Sequence, residues 1–260
     1  MNNVRTYGNA PFDVAVVHGG PGAPGELAPV ARQLAKNHGV LEPLQTASTL
    51  HGQVVELETI LKHNDHLPVA LIGHSWGAML SFVFAAQSPS LVKKLILISS
   101  AVFEDKYAES ITGTRLSRLT EEEVNRVCSL SRALDDPSAS DKNHLLAELG
   151  SLLSRADAFD PLPCESEIIE CQYDIYRDVW KDAQELRSSG RLLALGKQVR
   201  CPVVAIHGDY DPHPAAGVRT PLSGVLKDYR FVLLEKCGHR PWVERGARDR
   251  FYSILEQELG

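Results

Sequence analysis

Ser75 is the side chain in this sequence best set to act as a nucleophile. It lies in Gly73-His74-Ser75-Trp76-Gly77, a G-x-S-x-G elbow, in which a tight strand-to-helix turn presents a serine hydroxyl above the edge of a sheet. Pro68-Val69-Ala70-Leu71-Ile72 ahead of it reads as a short buried strand. The run from Gly77 to Gln87, rich in Ala, Phe, Leu and Met, reads as a buried helix. Glycines two residues either side of the serine permit backbone approaches that a Cβ would block.

A nucleophilic serine needs oxyanion donors, a base and an acid that orients the base. His18-Gly19-Gly20-Pro21-Gly22 follows the apolar run Val14-Ala15-Val16-Val17. A glycine-rich turn leaving a strand exposes backbone N–H groups, so the amides of Gly20 and Trp76 are the expected donors; the alternative for this segment alone is a tight turn beside a buried histidine. Further on, Val203–His207 reads as a strand and Gly208-Asp209-Tyr210-Asp211-Pro212 as a loop with two carboxylates. Phe231–Leu234 is a strand followed by Cys237-Gly238-His239. His239 is then the expected base, with the acid drawn from Asp209 or Asp211, in the chain order Ser, acid, His.

The succession of H-G-G-P-G, G-H-S-W-G, G-D-Y-D and C-G-H, each after a strand, resembles the α/β-hydrolase superfamily over nearly the whole chain. The usual G-x-x-D spacing of the acid loop in those proteins implies Asp211 as the acid, leaving Asp209 to cap the turn. Within the superfamily, His18–Gly22 and Trp76 resemble the prolyl aminopeptidases, also called proline iminopeptidases. That group usually reads G-G-S-W-G, so His74 departs from it toward the wider esterase pattern.

The remaining elements are those needed to hold these loops together. Strands near Asp13–Val17, Val40–Leu44 and Lys94–Ser99 join those at Pro68–Ile72, Val203–His207 and Arg230–Leu234, with helices near Glu26–Asn37, Gly52–His63, Ala215–Leu226 and Pro241–Glu258 between and after them. Alternating strands and helices imply an α/β fold: a mostly parallel sheet of about six strands flanked by helices, truncated at one edge, with the site at the carboxyl ends of the strands. Residues 1–101 and 200–260 form this core. Residues 102–199 are charged and Leu-rich with helix-start signals such as Thr120-Glu121-Glu122-Glu123, and are expected to be an inserted helical cap. Ile168, Cys171, Ile175 and Val179 fall at helical spacing within Glu165–Trp180. By resemblance to the prolyl aminopeptidases, acidic cap residues would hold a substrate α-ammonium, and Glu165, Glu167, Glu170 and Asp174 are the candidates.

Composition bounds the alternatives. The 260 residues are 43% hydrophobic and 23% charged, ordinary for a globular chain, and the net charge of -6 comes with no basic block, so neither nucleic acid nor an anionic membrane surface is an expected partner. No apolar stretch reaches membrane-spanning length and the N-terminus lacks a hydrophobic leader, which together predict a cytoplasmic protein. Five cysteines without C-x-x-C spacing predict neither a disulfide framework nor a zinc site, and no cofactor is expected. The expected chemistry is acyl transfer to water through an ester on Ser75, with a small molecule or short peptide as substrate. An aminopeptidase, a carboxylesterase or lactonase, and a non-catalytic small-molecule receptor with this fold are the three readings to separate.

Overall fold

A computed structural model describes residues 3–64, 66–164 and 167–260. Seven strands form one sheet: β1 (Val4–Tyr7), β2 (Phe12–Val17), β3 (Gly39–Pro43), β4 (Val69–His74), β5 (Val92–Ile98), β6 (Val203–Gly208) and β7 (Tyr229–Leu234). Their order is β1-β3-β2-β4-β5-β6-β7, all parallel except β1, which pairs antiparallel with β3. Helices α1 (Ala28–Leu34), α2 (Leu50–Lys62) and α3 (Trp76–Gln87) precede β5. Five more, α4 (Glu109–Leu116), α5 (Glu121–Asp135), α6 (Lys142–Ala156), α7 (Tyr173–Ser188) and α8 (Arg191–Ala194), lie between β5 and β6, followed by α9 (Ala216–Val225) and α10 (Arg248–Leu259).

Every residue of β4 and β6 is buried, as a parallel sheet covered on both faces requires. One apolar cluster packs α2 and α3 on one face through Leu57, Leu61, Phe82 and Phe84. A second packs α1 and α10 on the other through Leu27, Leu34, Phe251 and Leu255. Each such side chain fully withdrawn from water stabilises the fold by roughly 1.5–3 kcal/mol. The helices between β5 and β6 carry a small core of their own, built from Val127, Leu130, Leu134, Leu149 and Tyr173.

Three details differ from the sequence expectation. The sheet has seven strands rather than about six, because Val4–Tyr7 forms an edge strand. It is half-buried and polar enough to escape a search for apolar runs, and is held by Leu44 N–H on the Asn3 carbonyl at 2.8 Å and by the Tyr7 hydroxyl on Glu42 Oε2 at 2.6 Å. The last helix begins at Arg248 rather than Pro241, since Pro241–Val243 makes a 3-10 turn and the Glu244 carboxylate accepts the amides of Gly238, Phe159 and Asp160. Helix α7 begins only at Tyr173. The chain before it instead bonds to the glycine-rich loop, Ile169 N–H to the Pro24 carbonyl at 2.9 Å and Gln172 N–H to the Gly22 carbonyl at 2.9 Å.

The glycines of the elbow are sterically required. A Cβ on Gly77 would lie 2.2 Å from the Val17 carbonyl oxygen, and one on Gly73 would lie 2.2 Å from that of Gly77. Gly113, inside α4, faces open space. Thermal unfolding should therefore separate the two classes: Gly77→Ala is expected to lose about 1–3 kcal/mol or more through backbone overlap, whereas Gly113→Ala should gain about 0.5–1 kcal/mol from helix propensity.

Candidate active site

The carboxyl ends of β2, β4, β6 and β7 bring the motif segments together. Ser75 sits between β4 and α3 at φ 51°, a left-handed conformation uncommon for a non-glycine residue, with its N–H on the Ile98 carbonyl at 2.9 Å. The β2 loop turns back on itself at Gly20, φ 43°. The amides of Gly20 and Trp76 have no hydrogen-bond partner among the described residues, and both residues line a cavity of about 400 Å³ that Ser75 and His239 also line. Trp76 is fixed from its far side, its indole N–H donating to Gln53 Oε1 at 3.1 Å.

Asp211 and His239 meet at 2.7 Å between Oδ2 and Nδ1. Asp209 is turned away and accepts the Cys237 amide at 3.1 Å. The other Asp211 oxygen accepts both the backbone N–H and Nδ1 of His213, each at 2.9 Å, and His207 Nε2 lies 3.5 Å from the same carboxylate. Burial alone would raise the Asp211 pKa, but the histidines around it outweigh that and hold it well below the usual carboxylate range. His239 is raised above its ordinary value: burial disfavours its charge, and the Asp211 carboxylate overcomes that effect. His213, stacked on His239 with ring centroids 4.6 Å apart, goes the other way, since burial takes it down to about 4.

Glu26 organises the opposite wall. Its Oε2 accepts the Gly19 amide at 2.9 Å and faces His74 Nδ1 at 3.0 Å, while His74 Nε2 donates to the His239 carbonyl at 3.0 Å. Burial favours the neutral acid, yet His74 draws Glu26 down to about 2. One buried pair thereby touches the glycine-rich loop after β2, the elbow and the His239 loop. A Cβ on Gly19 would meet Glu26 Oε2 at 2.5 Å and His74 Nδ1 at 2.6 Å, so a side chain there would push into this pair.

The remaining cavity wall comes from α4, α6 and α7, with Leu146, Leu149, Leu153 and Trp180 supplying apolar surface. Arg115 grips Asp157 through two bonds, at 2.8 and 2.6 Å. Of the acidic residues expected to face a substrate, the three that are described do not do so. Glu167 pairs with Arg32, Glu170 is exposed beside Asn143, and Asp174 is 80% exposed beside Arg177; none of the three lines the cavity. Glu167 and Glu170 lie outward because 167–172 runs extended along the glycine-rich loop, while Asp174 occupies the solvent face of α7. Glu165 lies outside the described residues. The sequence reading missed Glu26 and His213, for which only their places, six residues after Gly20 and two after Asp211, offer any signal.

Asp211, His213 and His239 also have potential metal-ligand atoms within 4.8 Å of one another, but the Asp211 oxygens are taken up by hydrogen bonds to the two imidazoles. Cys237, next to the base loop, is fully buried among these carboxylates, and burial pushes its thiol far up; it packs rather than reacts. No helix among the described residues is long and apolar enough to cross a membrane.

Known proteins with this architecture are catalytically varied. An esterase of Thermogutta terrifontis superposes with a TM-score of 0.66 at 16% identity, covering 99% of this chain and 93% of its own. A proline iminopeptidase of Mycobacterium smegmatis gives 0.63 at 18%, covering 98% and 93%, and the protein VinJ gives 0.67 at 19%, covering 98% and 93%. A short stretch of 79 residues is 38% identical to the uncharacterized protein sll0249 of Synechocystis, spanning 29% of this chain and only 32% of that protein. The sequence model of the alpha/beta hydrolase fold matches residues 45–244, and the chain belongs to that family.

Proposed function

We propose that the protein is a serine hydrolase that forms an acyl-enzyme on Ser75 and acts on carboxylic esters. The observation that carries this reading is the 2.7 Å Asp211–His239 contact at a cavity shared with Ser75, Gly20 and Trp76. His239 takes the Ser75 proton as the oxygen attacks the acyl carbon, and returns it to the departing alkoxide. Water then repeats the sequence against the acyl-enzyme. The amides of Gly20 and Trp76 stabilise the oxyanion in both halves, Asp211 holds the imidazole in its reactive tautomer, and the helices between β5 and β6 act as a cap over the acyl site.

The cavity's carboxylates favour an ester over an N-terminal amide. A peptidase that binds a cationic α-amino group needs a free carboxylate, because a buried unpaired charge is strongly disfavoured. Both acids in the wall are already engaged, Glu26 by His74 and Gly19, Asp157 by Arg115. A binding-only role is separated from catalysis by a fluorophosphonate probe: labelling of the wild type and none of Ser75→Ala supports an activated serine, and no labelling of folded wild type leaves a receptor.

Turnover of p-nitrophenyl esters tests the roles. Ser75→Ala and His239→Ala should each lose about four to six orders of magnitude. Asp211→Asn should lose several orders, while Asp209→Asn, which touches a turn amide, should cost stability more than rate; the reverse ranking would reassign the acid. Glu26→Gln should lower kcat more than it raises KM, as a positioning residue does.

The pH profile has a defined sign. Only neutral His239 accepts the serine proton, and its pKa lies above the ordinary 6.5, so kcat/KM should climb with pH through a value above 6.5. Asp211→Asn should move that limb down, since the carboxylate that outweighs burial is then gone. A profile flat over about pH 5 to 8, with chemistry rate-limiting, would contradict the role.

A further inference from the structure

Arg187 is the one charged group on the cavity wall whose hydrogen-bonding capacity is largely unused among the described residues. Its side chain is 10% exposed, and its Nε donates to Asp105 Oδ1 at 2.5 Å. Neither Nη group makes a hydrogen bond with a described residue. Asp105 is itself 51% exposed, so water screens the pairing from one side. The other ionic pairs facing the cavity are matched: Glu26 with His74 and Asp157 with Arg115. The cavity thus offers an incoming ligand one spare cation and no spare anion.

We propose that Arg187 is an anion subsite, and that the hydrolase takes substrates carrying a carboxylate remote from the scissile ester. This rests on the hydrolase reading above. Helix α7 sets the distance. Tyr176, Trp180, Gln184 and Arg187 share one face and line the cavity, and Trp180 packs edge-on against Trp76 at 6.3 Å, beside the nucleophile. Seven residues of helix carry Arg187 about 10 Å beyond Trp180. Leu146, Leu149 and Leu153 of α6 line the same cavity and give it apolar wall that suits a methylene chain. The two Nη groups form a fork that binds a carboxylate bidentately, and a single cation already shared with Asp105 matches a monoanion better than a phosphate dianion.

The test compares p-nitrophenyl monoesters of succinic, adipic, suberic and sebacic acids with methyl-ended acyl esters of matching length, and butyrate esters of ω-hydroxy acids with those of plain alcohols. A preference for the carboxylate should appear on one side of the ester, favour the longer members, and shrink by roughly ten- to hundred-fold in Arg187→Gln, with partial rescue by Arg187→Lys. Asp105→Asn breaks the same ion pair but keeps the cation, so it should hold or strengthen the preference; equal loss in both variants would assign Arg187 a structural role only. No preference in either series, or one that survives Arg187→Gln, overturns the proposal. Fluorophosphonate labelling of each variant reports separately on Ser75. Calorimetric titration of Ser75→Ala with suberate monomethyl ester, with and without Arg187→Gln, reads the subsite without turnover, and equal affinity in the two would also overturn it.

Discussion

The architecture of the site depends on backbone-to-backbone contact at the start of α3. The Gly77 Cα lies so close to the carbonyls of Val17 and His18 that a methyl group would lie 2.2 and 2.4 Å from them. That contact presses the first turn of the helix onto the end of β2 and brings the Gly20 loop to the same point as the Trp76 amide. A second close approach, Gly208 against the Cys237 carbonyl, brings the Asp211 loop and the His239 loop together. Glycine serves here as the absence of a side chain between two chains that must touch.

Charge is then placed in space those contacts have closed. Unpaired carboxylates would be costly at such depth, and each is met by several donors. Asp211 faces three imidazoles, Glu26 takes one imidazole and one amide, and Glu244 accepts three amides. The sharing has a directional result. His213 and His239 stack and face one carboxylate, yet the first is pushed down and the second up, so the site holds one readily protonated imidazole and one that stays neutral.

What could be read from the sequence was what local geometry demands. Ser75, His239, Gly20 and Trp76 sit in motifs because an elbow or a strand-end turn tolerates few residue types, and the apolar runs of β2, β4, β5 and β6 announce a covered parallel sheet. The pairing of Val4–Tyr7 was not legible, since an edge strand needs no apolar run. Glu26 and His74 lie 48 positions apart, and their contact is made only by the fold. Glu167 and Glu170 lie in a segment before α7 whose backbone bonds go to Gly22 and Pro24, so helical periodicity does not place them, and Asp174 lies within α7 but on its solvent face.

Those backbone bonds have a mechanical consequence. The chain between β5 and β6 grips the glycine-rich loop after β2 through Ile169 and Gln172, and its Asp157 carbonyl accepts the His239 amide at 2.9 Å. The same stretch that walls the cavity therefore anchors both the glycine-rich loop after β2 and the His239 loop. A ligand that displaces this stretch would loosen both loops, and one that draws it inward would tighten them. For the ester hydrolysis proposed above, this would couple affinity for the distant parts of a substrate to rate at the ester, so that poor fits are rejected by slow chemistry as much as by weak binding.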